Sequence, residues 1–162
     1  MTKIKHQIEA LVEAPLVVEA ETLALLERTA LAVLAYLDAQ QSYEVTIVIT
    51  DDTAMQELNR RFRGIDHPTD VLSFAEDSRG PFAGGVEGLP NYLGDIVISL
   101  QRAQKQAESA AGALVQELQL LVVHGMLHLL GYDHAEPSEK AQMWTLQAAI
   151  LQPLGVNIPL PE

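Results

Sequence analysis

The spacing of apolar side chains in the first part of the chain predicts a helix between two strands. Residues 21–40 are predicted to be helical, because apolar side chains recur at three- and four-residue steps and give one apolar face: Leu23, Leu26, Ala30, Val33, Leu34 and Leu37. The run YEVTIVIT at 43–50 is rich in β-branched residues and predicts a strand. Residues 3–12 alternate more loosely and predict an edge strand. The sequence DDT at 51–53 offers N-caps for a helix to about Arg61.

The middle of the chain predicts two more strands separated by a long loop. The stretch DVLSF at 70–74 follows a proline and predicts a strand, and LGDIVISL at 93–100 predicts another. Between them, residues 76–92 are rich in glycine and contain two prolines, which predicts a loop. A loop of this length in a compact domain is more often functional or mobile than idle.

The last part of the chain has helical spacing. Residues 101–130 predict two helices with a break near Gly112, and a final helix begins at Pro137 and runs to about Leu151. Ser138 and Asp133 are the candidate N-caps of that helix.

These elements predict a small α+β domain, with a mixed sheet of about four strands beside four or five helices. A chain of 162 residues is within the range of one domain, so we expect residues 1–162 to form a single domain. The absence of cysteine excludes disulfides and thiolate metal sites. The N-terminus lacks the apolar core of a secretory signal, and no apolar run approaches the ~20 residues that cross a bilayer. We therefore expect a cytoplasmic protein without membrane contact.

The charge balance is strongly acidic. Ten Lys and Arg residues against 22 Asp and Glu residues give a net charge of −12. This balance argues against a general nucleic-acid binder, since such domains are usually basic. The distribution of charge is uneven, however, because three of the ten basic residues fall within four positions: Arg60, Arg61 and Arg63.

The segment HGMLHLLGYDH begins at His124 and contains three of the five histidines of the chain. His124 and His128 are four residues apart and project from one face of the predicted helix. Gly131 lets the chain leave the helix and turn back, which returns His134 towards the first two imidazoles. Three nitrogen ligands with a fourth position for water are the pattern of a catalytic zinc site, and the spacing is metzincin-like.

Gly125 stands where metalloproteases of this spacing carry the glutamate that serves as general base. A zinc ion lowers the pKa of its water, so hydrolysis stays feasible while a standard peptidase mechanism is disfavoured. The alternative interpretation, histidines that are only packed or solvated, is the usual one for a single histidine such as His6 or His67. Asp133 has two open interpretations: it orients an imidazole, or it caps the following helix.

The segment HGMLHLLGYDH resembles the signature of the YbeY family, which are bacterial metal-dependent endoribonucleases of ribosomal RNA maturation. Two further stretches agree with this family, RFRGIDHPTDVLSF at 61–74 and LGDIVIS at 93–99, and the three motifs come in the family's order. The resemblance extends along nearly the whole chain and is weakest in the loop 76–92.

The resemblance implies that one zinc ion per chain is bound by His124, His128 and His134. It also implies that Arg63 is the catalytic arginine close to the metal. A planar guanidinium can hold two phosphate oxygens and stabilise the charge of the transition state. The alternative is an arginine at a helix end that is solvated, or salt-bridged to an acidic neighbour: Glu57, Asp66 or Asp70.

The resemblance therefore implies a zinc-dependent, single-strand-specific endoribonuclease that acts in 16S ribosomal RNA 3′-end maturation and ribosome quality control. Its partners would be ribosomal RNA and proteins of the small ribosomal subunit, with no role for DNA. The general base stays open, and attack by the RNA 2′-hydroxyl is the alternative to attack by water. Two other functions stay open: a non-catalytic, zinc-stabilised ribosome assembly factor, and a metallopeptidase-like amide hydrolase.

Overall fold

The computed structural model describes residues 3–76, 90–109 and 113–157. Within these ranges the elements follow the order β1 (Gln7–Val12), α1 (Ala20–Tyr36), β2 (Tyr43–Thr50), α2 (Asp52–Arg63), β3 (Val71–Ala75), β4 (Asn91–Ser99), α3 (Leu100–Ser109), α4 (Leu114–Leu129), α5 (Pro137–Leu151) and a 3₁₀ helix (Gln152–Leu154). The predicted α+β class is confirmed, with a four-stranded mixed sheet and five α-helices.

The sheet has the strand order β1-β2-β4-β3. The strands β1, β2 and β4 run parallel, and β3 pairs antiparallel with β4. The prediction that residues 3–12 contain an edge strand is confirmed, although the strand itself is Gln7–Val12. The opposite edge is β3, and among the described residues no strand pairs with its outer side, so its backbone is available there to side chains from neighbouring elements.

The two faces of the sheet pack against different helices. Ile47 of β2 and Ile96 of β4 point into the main core, which contains the buried side chains of α1 and α4, and both are fully buried. Leu72 of β3 and Val97 of β4 point to the opposite face and pack against Met55 of α2. This alternation follows from the two-residue period of a strand. The sheet therefore separates α2 from α4.

Helix boundaries in the first half depart modestly from the sequence-based ones. Helix α1 ends at Tyr36, before the predicted end at 40, because Asp38 adopts the left-handed conformation with φ of +53°. The predicted cap of α2 is confirmed, since the Asp51 carboxylate accepts a hydrogen bond from the N–H of Ala54 at 2.8 Å. Helix α2 continues past Arg61 and ends at Arg63.

The loop was predicted to run over residues 76–92, and its predicted end lies too far along the chain. Strand β4 begins at Asn91, whose backbone N–H donates to the carbonyl of Ser42 at 2.9 Å, so the sheet takes up the last two residues of that range. The rest of the predicted loop, residues 77–89, lies outside the described residues. The predicted break near Gly112 also lies outside them, between the separate helices α3 and α4.

The predicted caps of the last helix are wrong. Helix α5 begins at Pro137 as expected, but its N-cap is Glu136, which makes no side-chain capping hydrogen bond. Proline at the first helical position has a fixed φ and no N–H to satisfy, so it favours the start of the helix without a capping side chain. The Asp133 carboxylate instead accepts a hydrogen bond from the backbone N–H of His134 at 2.7 Å.

Among the described residues, no single helix is long and apolar enough to cross a membrane. The helices α3 and α4 reach that length and apolarity only when the two are taken together as a bent pair.

Candidate metal centre

The first two candidate ligands project from α4, the helix that lies against the sheet. His124 and His128 are half-buried on one face of this helix. Gly125 lies between them in sequence but faces the sheet, where a Cβ atom would come within 2.8 Å of Cγ2 of Ile96. The position that carries the protease glutamate is therefore directed into the core, and the glycine allows α4 to approach β4 closely.

The end of α4 returns the third histidine to the first two. Gly131 has φ of +100°, a conformation that glycine adopts without steric cost. The N–H of Gly131 donates to the carbonyl of His128, and the N–H of Tyr132 donates to the carbonyl of Leu127, both at 3.0 Å. These two bonds form a Schellman motif, which reverses the chain direction. The predicted role of Gly131 as the residue that ends the helix is confirmed.

The three imidazoles converge. Each of His124, His128 and His134 offers one ring nitrogen, and these nitrogens all lie within 4.8 Å of one another. The Nε2 atoms of His124 and His128 are 3.1 Å apart. Two nitrogens bound to one tetrahedral zinc ion at ~2.0–2.1 Å are separated by about 3.4 Å. The arrangement therefore fits a metal ion of this size, with three nitrogen ligands from the protein.

Gln147 fixes the orientation of His124, the first candidate ligand. This residue lies on α5, is fully buried, and places its Oε1 atom 2.6 Å from Nδ1 of His124. The acceptor oxygen requires the proton on Nδ1, which leaves the lone pair of Nε2 directed at the cluster. Among the described residues the amide nitrogen of Gln147 has no hydrogen-bond partner. A buried amide nitrogen without a partner costs about 1–3 kcal/mol of stability. The hydrogen bond to His124 is therefore the favourable polar contact that Gln147 makes among the described residues.

The surroundings keep two of the candidate ligands, His124 and His128, neutral. Burial lowers the pKa of the His124 imidazole, and burial together with the neighbouring His124 lowers the pKa of His128 to about 4. Metal ions bind the neutral form of histidine. At neutral pH both imidazoles are therefore in the form that binds a metal ion without first losing a proton.

Trp144 packs beside the cluster. The centroid of the Trp144 ring lies 5.4 Å from that of His134 and 5.8 Å from that of His124. The ammonium of Lys140 lies 5.7 Å from the centroid of the Trp144 ring. Neither Trp144 nor Gln147 was predicted from the sequence to belong to the site. The signal for Gln147 was present, because it is a polar residue at helical spacing from the buried Met143 and Ile150.

Arg63 lies in the same cleft as the histidines. The cleft has a volume of about 640 Å³ and is lined by Arg63 and all three histidines, together with strand β3. The guanidinium is exposed, and its Nη2 atom is 3.5 Å from the carbonyl oxygen of Ser73, which is a long contact for a hydrogen bond. The structure thus brings together all four residues that the sequence singled out.

The acidic neighbours of Arg63 in sequence bind other groups. Glu57 forms an ion pair with Arg60 at 2.6 Å. The carboxylate of Asp66 accepts from the amide of Gln56 at 3.1 Å, and that of Asp70 accepts from Gln106 at 3.1 Å. Among the described residues Arg63 forms no ion pair, so the salt-bridged alternative is wrong.

The cleft contains two carboxylates among the described residues, and both are hydrogen-bonded. Asp133 accepts from the backbone N–H of His134, so it acts on the backbone of a candidate ligand. Asp70 accepts from the N–H of Val71 at 2.8 Å as well as from Gln106. Neither takes the place of the glutamate that a metalloprotease positions between its first two histidines.

The fold and the cluster define a small α+β protein with three convergent imidazoles that can hold a metal ion. The family model described as Endoribonuclease YbeY matches residues 7–155, and the chain belongs to this family of endoribonucleases. The family resemblance seen in the three sequence motifs is thereby confirmed.

Individual relatives agree with the family model. The endoribonuclease YbeY of Chloroflexus aggregans is 45% identical over 152 residues, which cover 93% of this chain and 97% of that protein. The protein of the same name from Chloroflexus aurantiacus is 48% identical over 133 residues, covering 82% of this chain and 86% of the relative. The solution structure of TM1509 from Thermotoga maritima matches with a TM-score of 0.57 over 92% of both chains at 23% identity, which supports the fold alone.

Proposed function

We propose that this chain is a zinc-dependent, single-strand-specific endoribonuclease of 16S ribosomal RNA 3′-end maturation and ribosome quality control. Residues 1–162 act as one domain in the cytoplasm, with ribosomal RNA as substrate and proteins of the small ribosomal subunit as partners. His124, His128 and His134 hold the zinc ion, and Arg63 is the catalytic arginine.

The observation that supports this proposal best is the shared cleft. An exposed guanidinium without an ion pair among the described residues lies in the same cleft as three convergent imidazoles. Peptide hydrolysis develops negative charge on a single oxygen, whereas phosphodiester cleavage places it on two nonbridging oxygens that a planar guanidinium can hold at once. Gly125 adds to this preference, because its position faces Ile96 and cannot supply a protease base.

The chain's own residues divide the chemistry between them. Arg63 binds the phosphate oxygens and neutralises the charge that grows on them during cleavage. Gln147 keeps the proton of His124 on Nδ1, and the Schellman turn after α4 holds His134 beside the other two rings. A zinc ion bound by the three imidazoles would supply Lewis-acid chemistry, which polarises a phosphoryl oxygen and makes water more acidic.

The acidity of the chain bears on how the substrate reaches the cleft. A net charge of −12 repels free RNA, and the contacts with phosphate depend on a small number of cations. We infer that a ribosomal partner brings the RNA to Arg63. Tight binding of naked RNA by the purified chain at physiological salt would contradict this part of the proposal.

The test is cleavage of a ribosomal RNA precursor by the zinc-loaded chain, alone and with small ribosomal subunits added. We expect cleavage that is stronger in the presence of the subunits. No cleavage in either case would contradict the proposal and favour a non-catalytic assembly factor. The ends of the products identify the attacking group, since a cyclic phosphate indicates the RNA 2′-hydroxyl and a 5′-phosphate indicates water.

A further inference from the structure

An exposed aromatic ring lies between two arginines at the end of α2. Phe62 is 59% exposed, although it is one of only three phenylalanines in the chain. The guanidinium carbon of Arg61 lies 5.5 Å from the centroid of the Phe62 ring. An aromatic ring with accessible surface and a cation beside it is a combination that binds nucleic-acid bases by stacking.

The charges around this ring favour an anionic partner. Arg60 is engaged by Glu57, but Arg61 and Arg63 form no ion pair among the described residues. Two exposed cations that lack an ion pair among the described residues form a local site that attracts phosphate, although the chain has a net charge of −12. The partner that matches an exposed ring flanked by cations is a single-stranded nucleic acid, in which bases alternate with phosphates.

The ring is continuous with the cleft across the edge of the sheet. Phe62 packs edge-on against Phe74 of β3, with ring centroids 5.3 Å apart and an interplanar angle of 65°. Ser73 and Ala75, the neighbours of Phe74 in the strand, line the cleft on the other face of β3. Arg63 joins the two sides, because it lines the cleft and lies 3.5 Å from the outer carbonyl oxygen of Ser73.

We propose that Phe62 stacks on an unpaired base of the RNA, next to the phosphodiester bond that lies in the cleft. The RNA strand passes from the histidine cluster over the edge of the β-sheet at β3. There Arg63 binds one phosphate and Arg61 binds the next. This inference rests on the proposed ribonuclease function and adds a physical reason for single-strand preference. A base within a duplex is covered by its neighbours and has no free face to place on the ring.

The experiment uses the zinc-loaded full chain and short, unpaired 2′-O-methyl RNA oligonucleotides that carry 2-aminopurine at one position at a time. Stacking on Phe62 quenches the fluorescence of the base at one position of the bound strand. We expect Phe62→Leu to abolish that quenching and to raise the dissociation constant about 5- to 150-fold, the range for loss of one base–aromatic stack. Leucine keeps an apolar contact with Phe74, and Phe62→Met is the second variant if Phe62→Leu does not fold.

Two further variants separate stacking from other effects. Phe62→Trp should retain both the quenching and the affinity, because it keeps an aromatic ring. Tyr36→Leu is the matched control, since Tyr36 is also an exposed aromatic residue at the end of a helix, at 52% exposure. This control should bind RNA as the wild type does.

Several results would overturn the inference. Unchanged quenching and affinity in Phe62→Leu, in a wild type that cleaves RNA, would overturn the role of Phe62 and leave the ribonuclease function intact. Equal losses in Tyr36→Leu would also overturn it. If Phe62→Leu lost binding to the small ribosomal subunit while its RNA affinity stayed unchanged, the surface around Phe62 would be a contact with a protein. A wild type that neither binds nor cleaves RNA would overturn both proposals.

Discussion

The histidine face of α4 and the end of α2 border the same cleft but are held in different ways. The histidines are fixed by the core, because Gly125 packs on Ile96 and Gln147 binds His124 from α5. Arg63 is exposed, and its one polar contact among the described residues is 3.5 Å long. The difference indicates that the candidate metal ligands are held in place by the fold, whereas Arg63 has no ion pair among the described residues and is accessible to a substrate. Changes behind the histidines should therefore alter folding or metal binding, and changes at Arg63 should alter RNA binding and cleavage without altering the fold.

The largest effect should come from Gly125→Glu, which places a glutamate at the sequence position where metalloproteases of this histidine spacing carry theirs. The new side chain would be directed at Ile96, where even a Cβ atom comes within 2.8 Å. Overpacking and the burial of an unpaired carboxyl should lower the free energy of unfolding by about 4 kcal/mol or more, measured by urea unfolding. Gly125→Ala is the control, with a smaller loss because alanine adds one atom and favours the helix. A stable Gly125→Glu protein with peptidase activity would contradict this account of the site.

Arg63→Ala should leave the fold intact and lower cleavage. The side chain is exposed, so we expect an unchanged melting temperature and unchanged metal content. Loss of a group that stabilises charge in the transition state should lower kcat about 10²- to 10³-fold. Arg28→Ala is the matched control, because Arg28 is an exposed arginine on α1 that does not line the cleft. Equal cleavage by the two variants would show that Arg63 has no catalytic role.

Gln147→Leu should weaken metal binding while the apo protein stays folded. Leucine removes the acceptor that fixes His124, and it also removes an amide nitrogen that lacks a partner among the described residues. We expect the zinc dissociation constant, measured by competition with a chelator, to rise about 10- to 100-fold. Gln119→Leu is the matched control, since Gln119 is a buried glutamine that bonds Thr29 at 3.3 Å instead of a histidine. A similar rise in both variants would contradict the orienting role of Gln147.

The smallest effect concerns Glu117, which lies in the first turn of α4 and precedes the histidines along that helix. Burial raises the pKa of its carboxyl, and the charge of Asp70 adds to the increase. The folded state therefore holds this proton to higher pH than the unfolded chain, so stability falls as pH rises from about 4.5 through the raised value. Glu117→Gln removes this loss of stability and should raise the melting temperature at neutral pH. The rise should be about 2–4 °C for each kcal/mol gained in the free energy of unfolding. No gain is expected below pH 4.5.

Glu21→Gln is the control for this pH dependence. Glu21 also lies in the first turn of a helix, where acidic residues interact favourably with the helix dipole, but it is exposed. We expect no stabilisation in this variant at any pH. A Glu117→Gln protein whose melting temperature shows the same pH dependence as the wild type would contradict the effect of burial.

Local patterns in the sequence were sufficient for much of the fold and for the histidine cluster. Strand β2 has the predicted bounds, and the helix, glycine and turn in HGMLHLLGYDH bring the three imidazoles together within eleven residues. Gln147 was missed because it contacts His124 from another helix, and such contacts depend on tertiary packing. The partners of Arg63 were also beyond prediction, since spacing alone placed Glu57, Asp66 and Asp70 near it and the geometry gives each a different partner.

In the proposed function, three histidines hold the metal ion on which RNA cleavage depends. The most direct test is cleavage of a ribosomal RNA precursor, with small ribosomal subunits present, as zinc is returned to chelator-treated wild type and His128→Ala. The proposed metal site predicts that wild-type cleavage rises with zinc and saturates at about one ion per chain, while His128→Ala stays inactive at the same zinc concentrations. Cleavage by the metal-free wild type at the full rate, or by His128→Ala at the wild-type rate, would contradict it.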